Sequence, residues 1–335
     1  MNKIKSNLYN LLSIVLSILF IYGLVLIIND FDEIFSNISK LNIRVICTAS
    51  VVYFVSVYFR YLRWKLIYKE LIGNYKFNML KETIVGYMAN NIFPFRLGEL
   101  YRVKRISDKE SEGFLKILST VFTERFTDVL ALLFFIILSI PFIRKFNTKI
   151  QFENNEINIF DIGISFLSYL VIFIILIIIS FILYRLKLPY INKAILIITN
   201  FITSLTIFFN HKRELNKYSY LTILSIIIWL IEAIVYYVIA IEFLPYHNKY
   251  ELIYIILIVC SITNLSGAIP SLPGNIGGFE FFGTITFIIL GIASAAGASI
   301  IITVHLILFV PISIIGIIIL ILEKLNLIKN QRKFG

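Results

Sequence analysis

The feature that most limits how this chain can fold is a set of long apolar runs. One of them, residues 297–322, contains no lysine, arginine or acidic side chain. About 18 or more apolar residues are enough to cross a bilayer as a helix. Because 59% of the 335 residues are hydrophobic and only 15% are charged, a soluble domain of this composition would lack a polar surface. We therefore predict an all-α, polytopic integral membrane helical bundle.

The charges at the ends of the apolar runs predict the topology. Lys3 and Lys5 precede the first run, and Asp30, Asp32 and Glu33 follow it. Since cytoplasmic loops are enriched in lysine and arginine, we place both termini in the cytoplasm. Most of the 31 Lys and Arg, Arg60 and Arg63 among them, then fall on the cytoplasmic side, so the net charge of +11 requires no nucleic acid partner. About eight spans are predicted, at residues 8–28, 45–63, 117–140, 162–184, 220–241, 251–269, 278–292 and 297–322.

Three further segments complete the predicted architecture. Residues 78–93 are short and precede a basic stretch, so we predict a re-entrant segment there, because another span would place that stretch outside. Residues 151–161 are predicted to form an external loop, and residues 191–209 to lie in the cytoplasmic interface. The chain, residues 1–335, is thus predicted to be a single transmembrane domain in the cell membrane.

The most distinctive stretch, residues 264–283, lies between two apolar runs. Pro270 and Pro273 remove backbone donors, and Gly274, Gly277 and Gly278 lower the cost of unusual dihedral angles. A continuous helix is therefore not expected here. Because unpaired backbone groups are costly in lipid, the break must be buried in protein or line a wet cavity. This requirement predicts a binding site.

A second break is predicted at residues 91–102. Pro94 ends the re-entrant segment, and Arg96, Glu99 and Arg102 share one face if a helix resumes. With Asn91, these side chains are candidates for substrate binding, and the alternative is a solvated basic helix at the surface. Both breaks place a proline before a glycine and a glutamate. Such interruptions in corresponding halves point to a site between repeats, so we also predict an inverted repeat.

Three charges within one predicted span form a third signal. Each of Glu124, Arg125 and Asp128 is costly to insert into a membrane, so the three are expected to face the bundle interior. Arg125 and Asp128 are three residues apart and are predicted to pair, which leaves one carboxylate over. Either Arg125 binds an anionic group, or the three charges form a purely structural network.

Three more polar residues fall in apolar runs. Glu280 lies near the first turn of the predicted helix after Gly278, where it either caps the helix or competes with a ligand phosphate for its N-terminus. Glu232 is predicted to line a cavity. His305 stands alone in its run and is interpreted as a satisfied polar group. Cys47 and Cys260 show no disulfide or metal-ligand spacing, so no metal is expected.

Three motifs together resemble the flippase-like membrane domain of the lysylphosphatidylglycerol synthase family. They are N-x-x-P-x-R-x-G-E-x-x-R at residues 91–102, E-R-x-x-D at residues 124–128 and P-x-x-P-G-x-x-G-x-x-E at residues 270–280. Arg63-Trp64 is similar to that family's pattern as well. The resemblance implies a domain that moves a charged phospholipid between leaflets, while a separate soluble domain makes that lipid. Archaeal relatives are associated with lipid-linked glycosylation.

The chain departs from the family pattern in two ways. It ends at Gly335, so we expect no synthase activity. Asn275 stands where the family commonly has a second glycine, and because asparagine tolerates left-handed backbone we expect the turn to survive.

We therefore expect a lipid translocase for an anionic phospholipid or a polyprenyl-phosphate-linked lipid. Arg96, Arg102, Arg125 and backbone donors after Gly274 would hold the head group, and acidic side chains would orient the arginines. The sequence has no ATP-binding motif, so no cofactor is expected. The expected partners are membrane lipids, with a separate lipid-modifying or glycosylation enzyme left open. The oligomeric state is left open as well.

Two other functions are weighed against lipid translocation. A membrane glycosyltransferase would use the acids at residues 30–33, which otherwise only mark a helix end. A scaffold for a separate lipid synthase would need no transport at all.

Overall fold

The computed structural model describes residues 3–28, 30–94, 97–110, 112–143, 149–152, 155–158, 215–245, 247–269 and 271–334. Ten α-helices and one short β-hairpin lie in these segments. They are α1 (Lys3–Ile27), α2 (Phe31–Ser39), α3 (Ile43–Leu71), α4 (Met79–Ile92), α5 (Gly98–Ser107), α6 (Phe114–Ile143), β1 (Lys149–Phe152), β2 (Asn155–Asn158), α7 (Leu215–Phe243), α8 (Lys249–Leu265), α9 (Gly278–Ile289) and α10 (Ser294–Phe334).

Polar side chains fix where several helices begin. Asn42, Asn78 and Asn248 precede α3, α4 and α8, and the side chain of each accepts a hydrogen bond from a backbone N–H in the first turn. Asp30 does the same for α2. An N-cap of this kind contributes about 1 kcal/mol because it satisfies a donor that has no partner within the helix. The helix starts are thus encoded locally.

The helices pack around a core formed mainly by α7, α8 and α10. Helix α7 contacts α3, α6, α8 and α10, while α9 packs against α1, α8 and α10. Helix α4 packs against α5 and α10. A Cβ on Gly316 of α10 would come 2.4 Å from Cβ of Met88 on α4, so the glycine permits this close approach.

The outer surface is apolar, whereas charged side chains lie inside. Helices α6 and α10 expose Leu133, Phe134, Ile137, Ile317 and Ile321, among other large apolar residues. Fully buried arginine and glutamate side chains lie within the same bundle. A soluble protein has the reverse distribution of apolar and charged side chains, so this surface is suited to contact with lipid. The predicted all-α, polytopic membrane bundle is confirmed.

Within the part of the chain that the structure describes, four helical segments are long and apolar enough to cross a membrane: Ile43–Leu71, Tyr220–Phe243, Lys249–Ala268 and Ser294–Leu325. A fifth candidate combines α1 and α2, which meet at 95°. The helices over residues 117–140 and 278–292 are not among these candidates. Two predicted segments, 162–184 and 191–209, lie outside the described residues. The count of about eight spans therefore stays a prediction.

Two details differ from the sequence-based expectations. The predicted external loop at residues 151–161 contains part of an antiparallel hairpin, in which Lys149 pairs with Asn158 and Phe152 with Asn155. Helix α3 continues to Leu71, eight residues beyond the predicted end of the second span at Arg63. Arg60 and Arg63 of this helix are buried inside the bundle.

Candidate functional site

A cavity of about 450 Å³ lies between the two helix breaks. Asn91 and Glu99, from the break between α4 and α5, line one side of it. Gly274 and Asn275, from the break between α8 and α9, also line it. The two breaks that the sequence predicts therefore meet at one site, although they are far apart in the chain.

The first break is a tight hairpin of two helices. A Cβ on Gly98 would lie 2.1 Å from the backbone N of Asn90, so only glycine allows α5 to start against the last turn of α4. The backbone N–H of Glu99 donates to Oδ1 of Asn90 at 3.1 Å. Because the chain doubles back here, the arrangement has the form that a re-entrant segment requires. Arg96 lies outside the described residues.

The second break depends on left-handed backbone. Gly274 has φ 70° and Asn275 has φ 63°. A Cβ on Gly274 would also come 2.4 Å from the ring of Phe309. Asn275 adopts the left-handed conformation that the sequence analysis expected of it, and its side chain donates to Ser266 Oγ at 3.2 Å. The turn therefore survives without a second glycine.

Pro273, Gly277 and Gly278 shape the same turn from outside the cavity. Pro273 begins a short 3-10 turn, Pro273–Asn275. Gly277 has φ 89°, and a Cβ there would lie 2.9 Å from the carbonyl oxygen of Ser17 on α1. Helix α9 begins at Gly278. These three predicted site residues set the backbone path, whereas Gly274 lines the cavity itself.

Asn91 connects the first break to α10. Its Nδ2 donates to the carbonyl oxygen of Phe309 at 3.1 Å and to Ser313 Oγ at 2.8 Å. These two residues flank Pro311, which lies inside α10. Because Pro311 has no backbone N–H, α10 lacks one helical hydrogen bond here, and the contacts of Asn91 help to stabilise this part of the helix.

Four buried charges form what we term the inner network: Arg63, Arg102, Glu124 and Asp128. Nη1 of Arg63 donates to Asp128 Oδ1 at 2.7 Å, and Nη2 of Arg102 donates to Glu124 Oε2 at 2.5 Å. A longer contact of 3.9 Å joins Arg63 to Glu124. No side chain in this network is more than 5% exposed. We call the inner network sealed because its side chains are almost fully buried, although Asp128 also lines the cavity.

Aromatic and hydroxyl groups complete the inner network. The indole N–H of Trp229 donates to Asp128 at 2.8 Å, and Ser225 Oγ accepts from Arg63 at 2.8 Å. The guanidinium of Arg102 lies 4.0 Å from the ring centroid of Trp64. Such a cation–π contact stabilises a cation that is removed from water. Helices α3, α5, α6 and α7 therefore meet at a buried charge centre, in which Nε of Arg63 and Nε of Arg102 have no hydrogen-bond partner among the described residues.

Arg125 and Glu99 face the cavity. Nε of Arg125 lies 2.8 Å from Glu99 Oε1, and Nη1 lies 3.2 Å from Asp128 Oδ2. The Arg125 and Glu99 side chains are 24% and 19% exposed, in contrast to the sealed inner network. The predicted pairing of Arg125 with Asp128 is confirmed. The expectation of a spare carboxylate is wrong, because α5 brings Arg102 to Glu124.

Arg60 and Glu232 form another buried pair beside the cavity. Nη2 of Arg60 donates to Glu232 Oε2, and the guanidinium lies 4.4 Å from the centroid of the Trp229 ring. All three residues line the cavity, as the sequence predicted for Glu232. Among the described residues, the arginine–carboxylate pairs around the site join four arginines to four carboxylates. The arginines are Arg60, Arg63, Arg102 and Arg125, and the carboxylates are Glu99, Glu124, Asp128 and Glu232.

Two of these arginines were not predicted as site residues. The charge count placed Arg60 and Arg63 among the cytoplasmic charges and gave them no partners, whereas both are buried within α3 and paired with carboxylates. Their spacing of three residues, just before Trp64, is the signal that could have identified them. Helix α5 resumes at Gly98, so Glu99 and Arg102 are three residues apart on one helix; Glu99 contacts Arg125 at the cavity, and Arg102 contacts Glu124.

Glu280 caps α9 and also contacts a residue that lines the cavity. Its Oε2 accepts the backbone N–H of Gly277 at 2.8 Å, and its Oε1 contacts Nδ1 of His305. Nε2 of His305 lies 2.9 Å from the carbonyl oxygen of Gly274. His305 is therefore a satisfied polar group, as the sequence predicted, and its partners come from α9 and from the turn at Gly274.

Comparisons with known proteins agree with the motifs. Neither the search of curated proteins nor that of solved structures finds a match. The model of the family described as "Lysylphosphatidylglycerol synthase TM region" matches residues 11–316. This match covers both helix breaks, the inner network and the cavity. The chain therefore belongs to the lysylphosphatidylglycerol synthase transmembrane-region family.

Proposed function

We propose that this protein is a lipid translocase, which moves an anionic phospholipid or a polyprenyl-phosphate-linked lipid between leaflets. The proposal rests mainly on one observation: Arg125 faces a cavity inside an apolar bundle, with Glu99 as its partner there. Membership of a family named for a lipid synthase supports a role connected with membrane lipids. In this proposal the chain itself carries out no chemical reaction.

An exchange of anions at Arg125 would allow a head group to enter. A guanidinium binds a phosphate through two parallel N–H donors, with a geometry close to that of its carboxylate contacts. If the phosphate replaces Glu99, Arg125 keeps a compensating charge throughout. This exchange at Arg125 uses no ATP in either direction.

The inner network would hold this exchange site in place. Asp128 contacts both Arg63 and Arg125, so one carboxylate links the sealed charges to the cavity. Arg102 and Glu124 are not among the residues that line the cavity, and we assign them to positioning rather than to head-group contact. This assignment narrows the binding set expected from the sequence.

The two alternatives receive less support. Oδ1 of Asp30 accepts the backbone N–H of Glu33 at 2.9 Å, so the acids of the glycosyltransferase hypothesis cap and begin α2. A scaffold for a separate enzyme gives no reason for the exposed Arg125–Glu99 pair. Native mass spectrometry of the purified protein separates the proposals: a co-purifying anionic lipid supports the translocase, and its absence favours the scaffold.

Lipid transfer in vesicles gives the direct test. The protein is reconstituted with a fluorescent anionic phospholipid, and a membrane-impermeant quencher measures how fast the label crosses. Arg125→Gln should slow transfer roughly 10- to 100-fold, because a hydrogen bond to a charged group contributes about 1.5–3 kcal/mol. Glu99→Gln should also slow transfer, since the exchange partner is lost.

A matched control uses an exposed ion pair. Lys116 and Glu112 lie 2.9 Å apart, 47% and 34% exposed, and outside the cavity. Lys116→Gln should transfer lipid at the wild-type rate. Size-exclusion chromatography must show that all variants remain folded. Equal transfer by Arg125→Gln and the wild type would overturn the proposed role of Arg125.

A further inference from the structure

Both ring nitrogens of His305 face hydrogen-bond acceptors. Nδ1 contacts a carboxylate oxygen of Glu280, and Nε2 lies 2.9 Å from the backbone carbonyl of Gly274. A neutral imidazole has one N–H donor and one lone pair, so it can satisfy only one of these contacts. The arrangement therefore requires one more proton than a neutral histidine beside an ionised glutamate would hold.

The surroundings of Glu280 place that proton on His305. Oε2 of Glu280 accepts the Gly277 N–H at 2.8 Å, and the residue lies in the first turn of α9. A helix N-terminus carries a partial positive charge, which stabilises the ionised carboxylate. Above the imidazole, the ring of Phe279 stacks at a centroid distance of 4.3 Å. The geometry therefore suits a proton that is bound between a carboxylate and a carbonyl.

The pair also has access to the cavity. His305 and Gly274 both line it, and the His305 and Glu280 side chains remain 11% and 18% exposed. A proton can therefore reach the pair through water in the cavity. Gly274 itself belongs to the left-handed turn that forms the cavity wall.

We propose that Glu280 and His305 together bind the proton that drives lipid movement, an inference that rests on the proposed translocase function. When the proton leaves, the imidazole has a lone pair facing an acceptor, and one of its two contacts must break. Loss of the Nε2 contact frees α10 from the turn at Gly274, and loss of the Nδ1 contact frees α10 from the start of α9. The cavity wall then has two arrangements, and the proton selects between them.

Other charged and titratable groups face the same cavity from neighbouring helices. The guanidinium of Arg60 pairs with Glu232, and that of Arg125 pairs with Glu99 and Asp128. Asp128 also pairs with Arg63, so these charges compensate one another, and Glu280 is the carboxylate that contacts His305. Among the described residues, the set comprises Tyr53 and Arg60 of α3, Tyr87 of α4, Glu99 of α5, Arg125 and Asp128 of α6 and Glu232 of α7, with Tyr236 and Cys260 close behind at Asn264.

Nitrogen NMR tests the proton site without any lipid. The chain has three histidines, His211, His247 and His305, so replacing the first two by glutamine leaves His305 as the sole histidine ring signal. With Glu280 intact we expect both His305 nitrogens to be protonated, and Glu280→Gln should convert the signal to the neutral form at the same pH, because a glutamine can donate to Nδ1. Equal protonation of His305 in the two proteins would overturn the proposal.

Vesicles with an imposed pH gradient test the coupling. The gradient should drive net accumulation of the labelled lipid in one leaflet for the wild type, and Glu280→Gln should abolish that accumulation. The control is Glu251→Gln, which removes an exposed acid from the first turn of α8 and should respond like the wild type.

The two proposals fail in different ways. If the wild type transfers lipid but the pH gradient does not change the distribution of the label, proton coupling is overturned and the translocase function stands. If the wild type transfers no lipid at any pH, the translocase function is overturned, and the coupling falls with it. The NMR measurement still decides by itself whether the pair binds a proton.

Discussion

Two charge clusters in this protein pair basic with acidic side chains in different surroundings. The inner network of Arg63, Arg102, Glu124 and Asp128 is sealed, and its side chains are at most 5% exposed. The second cluster, the Glu82 network, consists of Lys81, Glu82, Arg105, Lys109 and Glu323. Its lysines are 32% and 42% exposed.

The difference between the clusters lies in what replaces a lost partner. In the Glu82 network, Arg105 contacts Glu82 at 2.8 Å and Glu323 at 3.0 Å, and water can reach the lysines. In the inner network, a charge that loses its partner has no water to take its place. The inner cluster is therefore intolerant of single changes, whereas the outer cluster shares its charges among several partners.

The largest expected effect is that of Glu124→Gln. This change leaves Arg102 without its 2.5 Å carboxylate contact in a sealed site. Removing one partner of a buried ion pair costs about 3–5 kcal/mol, so we expect a large loss of folded protein. Thermal unfolding in detergent measures the effect.

The same chemical change in the outer cluster provides the control. Glu323→Gln should cost about 1 kcal/mol or less, because its partners are partly exposed. Equal destabilisation by the two substitutions would contradict the distinction between a sealed and a shared network.

Part of the charge arrangement around the site could be predicted from the sequence. Arg125 and Asp128 are three residues apart on one helix, so helical periodicity alone predicts their contact. The positions of Arg102 and Arg63 could not be predicted in this way. Their partners come from other helices, and the contacts depend on how α3, α5 and α6 pack. The charges at the span ends also gave no sign that Arg63 is buried, because a topology based on them ends the helix where the basic residues begin, whereas α3 continues to Leu71.

The second break shows the same limit. Two prolines and several glycines predict that no helix continues, and Asn275 tolerates the required left-handed backbone. The role of Glu280 as a cap follows from its place near a helix start. Its contact with His305 does not follow from either sequence segment, because it depends on the packing of α9 against α10. Local backbone chemistry was predictable, and contacts between helices were not.

A smaller effect is expected from acid at the Glu82 network. Burial acts to raise the pKa of Glu82, but hydrogen bonds from Arg105 and Lys109 outweigh burial and hold its pKa below the usual value. A lowered pKa in the folded state means that the stabilisation is present above the unfolded pKa, near 4.3, and is lost as pH falls through the folded value.

Glu82→Gln isolates this contribution from the other carboxylates. The wild type should be more stable than the variant at neutral pH, and the difference should shrink as pH falls from about 6 to about 3. Thermal unfolding of both proteins across this range measures it. A difference that stays constant with pH would show that Glu82 stabilises the fold by packing instead of by charge.

The smallest expected effect is that of Lys109→Ala, and it tests whether the outer cluster really shares its charges. Lys109 Nζ lies 2.5 Å from Glu82 Oε1, but the side chain is 42% exposed and Arg105 binds the same carboxylate. An exposed ion pair contributes about 0.2–1 kcal/mol and weakens as salt increases. We expect a loss within this range in dilute buffer that falls towards zero in about 1 M salt, because the ions screen the lysine while Arg105 still pairs with Glu82. A salt-independent loss would mean that the Lys109 stem stabilises the fold by packing, and the outer network would then resemble the inner one more closely than its exposure indicates.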